Sequence, residues 1–112
     1  PIKIDGDGSQ TRSLCYVSDM VDGIKRAMFT GGTGGEIFNL GNPDEYKISD
    51  LSNKIIEITG SKSEIIFSKS FREDDPMQRC PDITKAKKTL NWKPKVNLVE
   101  GLTKTIEYYK SI

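Results

Sequence analysis

Three stretches of this chain place apolar residues at spacings of three and four. They are Val17, Val21, Ile24 and Met28; then Leu51, Ile55 and Ile58; then Leu98, Leu102, Ile106 and Tyr109. That period winds one apolar stripe along an α-helix. Between them lie runs too short for helices: Ser13-Leu14-Cys15-Tyr16-Val17, Glu36-Ile37-Phe38-Asn39-Leu40-Gly41 and Glu64-Ile65-Ile66-Phe67. These read as strands. Helices with isolated strands between them predict a mixed α/β fold, with short strands between about four helices.

Local punctuation refines this. Pro1 to Ile4 alternates weakly and runs into Asp5-Gly6-Asp7-Gly8, a turn whose residues tolerate positive φ. Ser18 or Asp19 is expected to cap the first helix, which runs to about Phe29, and Thr30 to Gly35 stops it. Asn42-Pro43 ends the second strand, and Tyr46-Lys47-Ile48 is a short extended piece. Ser49 caps the next helix and Gly60 closes it as a C′ residue. Phe71 to Pro81 reads as a charged loop. Asp82 caps a short helix from Ile83 to Leu90, Asn91 to Pro94 turns the chain, and the last helix runs from about Leu98 to Lys110.

Length and composition bound the function. The 112 residues fit one domain or part of one, since domains typically run ~100–200 residues. With 17 Lys+Arg against 16 Asp+Glu, the chain lacks the basic surplus of a general nucleic-acid binder. No apolar run approaches the ~18–20 residues of a membrane span. The start at Pro1, with neither Met nor signal peptide, predicts a processed or partial chain in a cytoplasmic setting. With no His, Ser-His-Asp and Cys-His catalysis and His-ligated zinc are excluded within these residues. Cys15 and Cys80 could pair, but without a secretory signal they read as reduced, structural thiols.

Gly31-Gly32-Thr33-Gly34-Gly35 invites comparison with a phosphate loop. The order is wrong: a dinucleotide loop follows a strand and opens a helix, whereas these glycines follow a helix and precede a strand. No Tyr is followed four residues later by Lys. The residues suited to chemistry are arginines. Arg12 sits with Gln10 where a loop enters a strand, and Arg72 and Arg79 flank Glu73-Asp74-Asp75 in one loop. A guanidinium forks onto phosphate or carboxylate; as surface ion pairs the same side chains would contribute little.

Gly6-Asp7-Gly8-Ser9-Gln10-Thr11-Arg12-Ser13 followed by Tyr16-Val17-Ser18-Asp19 closely resembles the G-D-G-x-Q-x-R-x-x-x-Y-V-x-D stretch of extended short-chain dehydrogenases/reductases acting on sugar nucleotides. Phe38 to Pro43 resembles their next strand. Asp74-Asp75-Pro76-Met77-Gln78-Arg79-Cys80-Pro81-Asp82-Ile83 is similar to the D-D-P-x-x-R-x-P-D-I stretch of UDP-glucuronate decarboxylases. Lys85 to Lys87, Leu90, Trp92 to Pro94, Leu98 to Leu102 and Thr105-Ile106 continue the likeness, which spans essentially the whole chain in order.

The resemblance implies the C-terminal, substrate-binding portion of such an enzyme, inactive alone. NAD would be held by a preceding Rossmann domain carrying the glycine loop and the Tyr-x-x-x-Lys pair. It implies Gln10 and Arg12 near a nucleotide diphosphate, Tyr16 shaping that wall, and Arg79 near substrate. Arg72 follows the epimerase and dehydratase pattern, where decarboxylases carry a non-basic residue. A UDP-glucose 4-epimerase, or a non-catalytic sugar-nucleotide module, therefore remains the alternative. The implied parent chemistry is hydride removal at sugar C4, loss of CO₂ and hydride return, giving UDP-xylose. The implied partners are a UDP-sugar, bound weakly by this piece, the Rossmann domain, and a second copy of the chain through the face that the Rossmann domain would cover.

Overall fold

The computed structural model describes residues 1–69 and 77–112. Its elements in order are β1 (Ile2–Asp5), β2 (Thr11–Ser13), α1 (Val17–Phe29), β3 (Glu45–Lys47), α2 (Ile48–Thr59), β4 (Ile65–Ser68), β5 (Gln78–Arg79), α3 (Thr84–Leu90) and α4 (Leu98–Ser111). The mixed α/β class and the four helices agree with the sequence. The strands form two small sheets. β1 pairs in parallel with β4, Ile2 opposite Ile65. β2 is the middle of a second sheet, antiparallel to β3 and parallel to β5.

Between β1 and β2 the chain turns through Gly6 and Gly8, at φ 76 and 78, where a side chain would be strained. A Cβ on Gly8 would also stand 2.9 Å from Ser49 Cβ. Loop and α2 thus touch directly, which alters the expected cap. Ser49 does not cap α2; the N-cap is Lys47 and no side chain serves it. Instead Ile48 N–H donates to Gln10 O at 2.9 Å and Ser49 N–H to Gly8 O at 3.1 Å. Gly60 closes the helix in the left-handed region at φ 65, as the sequence predicts.

The first strand-like run is displaced. β2 ends at Ser13, and α1 already begins at Val17 behind Tyr16, again with no capping side chain. Asp19 is not a cap because its carboxylate is used elsewhere. It is 6% exposed, and Oδ2 accepts from Lys95 N–H at 3.0 Å and Val96 N–H at 2.9 Å. The main-chain oxygen of Asp19 accepts from Trp92 Nε1 at 3.0 Å.

The packed face of α1 is not its apolar stripe. Val17, Val21, Ile24 and Met28 point away from the core, with Val17 63% and Met28 68% exposed. The buried face is Asp19 and Gly23. Gly23 lets the core reach the helix backbone, since a Cβ there would lie 2.9 Å from Leu40 Cδ1 and 3.1 Å from Trp92 Cε2. The core gathers on that side: Ile83, Ala86, Leu90 and Trp92 are buried, with Cys15, Ala27, Phe38 and Leu40 against them.

The strand expected at residues 36–41 does not form. Phe38 and Leu40 still reach the core, but the segment has no ladder partner among the described residues. The loop expected from Phe71 to Pro81 contains β5, and its residues 71–76 lie outside the described residues. Asp82 does serve the start of α3: Oδ1 accepts from Thr84 N–H at 3.0 Å and from Thr84 Oγ1 at 2.6 Å, with Ile83 at the N-cap position. Asn97 caps α4 by accepting from Glu100 N–H at 2.9 Å.

Candidate functional site

The three-stranded sheet brings the arginine positions together. Arg12, central in β2, lies opposite Tyr46 on β3 and opposite Arg79 on β5. Adjacent strands stand ~4.8 Å apart, and residues in register share a face of the sheet. Arg12 and Arg79 are therefore side-by-side cations with Tyr46 as the third member of the row. Two further bonds hold β5 against β2. Thr11 N–H donates to Met77 O at 2.8 Å, and Ser13 Oγ donates to Arg79 O at 3.3 Å. Arg12 Nη1 donates to the neighbouring carbonyl, Thr11 O, at 2.6 Å, which ties one tip of its guanidinium to the backbone of β2. Arg79 is exposed.

Gln10 lies just before β2. It is 6% exposed, and Nε2 donates to Asp5 O at 2.8 Å, joining the end of β1 to the start of β2. Its Oε1 is buried without a partner. An orphaned carbonyl oxygen needs a donor. A diphosphate offers none, so this atom suits a hydroxyl, an N–H or a water.

Tyr16 sits in a different place. Its ring packs on α4, where a Cβ on Gly101 would lie 3.4 Å from Tyr16 Cδ2, and Lys104 Nζ stands over it at 5.7 Å. Together with Leu14, Cys15, Leu98 and Leu102 it lines a mainly apolar groove of about 210 Å³. Burial, and then the Asp19 carboxylate, push the Cys15 thiol up from its ordinary range. Arg72 and the Asp74-Asp75 pair lie outside the described residues. Sequence reasoning missed Tyr46 as a neighbour of Arg12. The extended run at residues 46–48 marks a strand there, but only the ladder supplies its register.

These residues do not fit a dinucleotide. The glycines at 31–35 follow the end of α1, and no helix opens from them. A Cβ at Gly31, Gly32, Gly34 or Gly35 would meet nothing within 4 Å, so they do not form a close-walled cradle. No group of three metal-ligating side chains occurs among the described residues.

Comparisons with known proteins show the family. The family model described as GDP-mannose 4,6 dehydratase matches residues 1–105. UDP-glucuronic acid decarboxylase 5 of Arabidopsis thaliana is 48% identical over 101 residues, covering 90% of this chain and 29% of that protein. Among solved structures, UDP-glucose 4-epimerase of Thermotoga maritima, with UDP-glucose, superposes with a TM-score of 0.90 at 38% identity, over 98% of this chain and 35% of that one. UDP-glucuronic acid 4-epimerase of Bacillus cereus, in complex with UDP-glucuronic acid and NAD, gives a TM-score of 0.90 at 34% identity, over 99% and 35%. The chain thus spans roughly a third or less of the proteins it matches. With the shared fold and the match over almost its whole length, the chain belongs to the GDP-mannose 4,6 dehydratase family, within the NAD-dependent epimerase/dehydratase group of extended short-chain dehydrogenases/reductases.

Proposed function

We propose that these 112 residues form the sugar-nucleotide-binding portion of an NAD-dependent UDP-glucuronate decarboxylase acting in the cytoplasm. The observation that carries this is the register of β2 and β5, which sets Arg12 beside Arg79. Two adjacent guanidinium groups suit a diphosphate, or a diphosphate and a sugar carboxylate together. The 48% identity to a plant decarboxylase favours that reaction. The chain's own residues bind and orient, and the buried Gln10 ties the end of β1 to the start of β2. NAD, and every step that needs it, is assigned to the rest of the protein.

The exposed stripe of α1 and the segment at residues 36–40, which joins no ladder among the described residues, are assigned to contact with the NAD-binding domain. One supplies an apolar helix face and the other an open backbone edge.

The test is an NMR titration of the chain with UDP-glucuronate. The expected affinity is weak, on the order of millimolar, because on this reading the rest of the pocket belongs to the NAD-binding domain. Shifts should centre on Arg12, Arg79 and Tyr46. A charge-assisted bond contributes ~1.5–3 kcal/mol, so Arg12→Ala and Arg79→Ala should each weaken binding about tenfold or more. Lys at either position should recover only part, since it lacks the fork. Wild-type binding by both alanine variants would overturn the proposal.

A second reading, a 4-epimerase, is favoured by the 38% identical epimerase structure. Full-length protein given UDP-glucuronate separates the two: CO₂ release with UDP-xylose supports the decarboxylase, and inversion at C4 without CO₂ supports the epimerase.

A further inference from the structure

On the side of α1 away from its apolar stripe, Arg26 is a locked cation. Nε donates to Asp22 Oδ2 at 3.1 Å, and Nη1 donates to Leu90 O at 3.2 Å and Asn91 O at 3.1 Å. Nη2 is left without a partner among the described residues. Arg26 lies in the wall of an open hollow of about 370 Å³, lined also by Asp22, Lys87, Asn91, Trp92, Lys93 and Lys95. Lys87, Lys93 and Lys95 continue into an adjoining hollow of about 300 Å³ that reaches Asn42 and Asp44.

The charge here is unbalanced. The whole chain has a formal net charge of +1. The larger hollow alone sets four cations against the single carboxylate of Asp22, which already holds Arg26. Three lysines elsewhere are neutralised by a carboxylate: Lys54 by Glu57, Lys85 by Glu36 and Lys104 by Glu100; what marks this hollow is that its lysines gather around one volume. Lys87, Lys93 and Lys95 have no such partner among the described residues. Lys87 stands in the last turn of α3, where the helix dipole favours a cation. That reason does not extend to Lys93 and Lys95, which flank Pro94 beyond the helix. Their backbone is nevertheless fixed, because Lys95 N–H and Val96 N–H are tied to Asp19. A rigid guanidinium and three unpaired ammonium groups around one hollow attract an anion of several charges more than a single carboxylate.

We propose that this hollow binds a polyphosphate chain, at a site sharing no lining residue with the Arg12–Arg79 row and independent of the sugar-nucleotide reading. The probe is inorganic tripolyphosphate, titrated into the ¹⁵N-labelled chain. One saturable site is expected, with shifts at Arg26 Nε, Lys87, Asn91, Lys93 and Lys95, and orthophosphate at least about tenfold weaker. The triple variant Lys87→Ala/Lys93→Ala/Lys95→Ala should lose about tenfold or more, while Arg12→Ala/Arg79→Ala retains binding. If the triple variant fails to fold, Lys93→Ala and Lys95→Ala singly should each weaken binding several-fold. Adenosine triphosphate binding tenfold tighter than tripolyphosphate identifies a nucleotide as the natural source, and equal affinity identifies the free chain. The proposal is overturned by shifts centred on Arg12 and Arg79, by wild-type affinity in the lysine variants, or by no saturation at about 10 mM.

Discussion

Asp19 offers the sharpest quantitative test of how the chain is held together. One oxygen, Oδ2, accepts two backbone N–H groups, those of Lys95 and Val96, at 3.0 and 2.9 Å. Replacing Asp19 by Ala removes both bonds and leaves two donors facing an apolar methyl. Hydrogen bonds to a charged group contribute ~1.5–3 kcal/mol each, so the loss is on the order of 3–6 kcal/mol. Domains typically have only ~5–15 kcal/mol in total, so Asp19→Ala should sit near the edge of folding. Asp19→Asn keeps an acceptor oxygen in place and loses only the charge. Neutral bonds are worth ~0.5–1.5 kcal/mol, which puts its cost at about 2 kcal/mol. Urea unfolding followed by fluorescence measures both. The sole tryptophan, Trp92, is 1% exposed and bonds to the main chain of residue 19, so the probe survives the substitution. An Asp19→Ala variant within about 0.5 kcal/mol of wild type would refute the reasoning, because so small an effect belongs to an ordinary surface site.

Three further outcomes are expected. A Cβ at residue 41 would lie 2.7 Å from Pro81 Cγ, and the proline ring cannot swing aside, so Gly41→Ala should cost about 1–3 kcal/mol and lower Tm in a thermal melt. Cys80 is exposed, whereas Cys15 is partly buried with its thiol pKa raised, first by burial and then by Asp19. Less Cys15 is thiolate at any pH below that raised value, so iodoacetamide near pH 8 should modify Cys80 first, as peptide mapping would show; equal rates would contradict this. The isolated chain should self-associate through the α1 stripe, giving species larger than monomer in sedimentation at ~100 µM, and Val21→Asp/Met28→Asp should return it toward monomer.

The helices were legible because spacings such as Leu51, Ile55 and Ile58 depend only on neighbours along the chain. The inward side of α1 was not. An apolar stripe ordinarily faces the core, but here the packed side is Gly23 and Asp19, whose carboxylate accepts two backbone N–H groups, and the stripe is exposed. Residues 36–41 read as a strand by composition, but strand formation needs a partner ladder, and none pairs with them among the described residues. Arg12 and Arg79 were each singled out in the sequence, but their adjacency rests on pairing between distant segments, which local pattern does not encode. The hollow around Arg26 was invisible for the same reason, since its cations come from α1, α3 and the turn after α3.

The start of α2 carries a mechanical consequence. Its first two amides, of Ile48 and Ser49, are anchored on the carbonyls of Gln10 and Gly8, in the loop that delivers β2. Helix and loop therefore cannot loosen separately: fraying the helix strips two acceptors from the loop, and shifting the loop uncaps the helix. Arg12, two residues past Gln10, rides on that joint. Hydrogen exchange at Ile48 and Ser49 would report on the order of the arginine row from the opposite side of the joint, with protection rising and falling in step with β2.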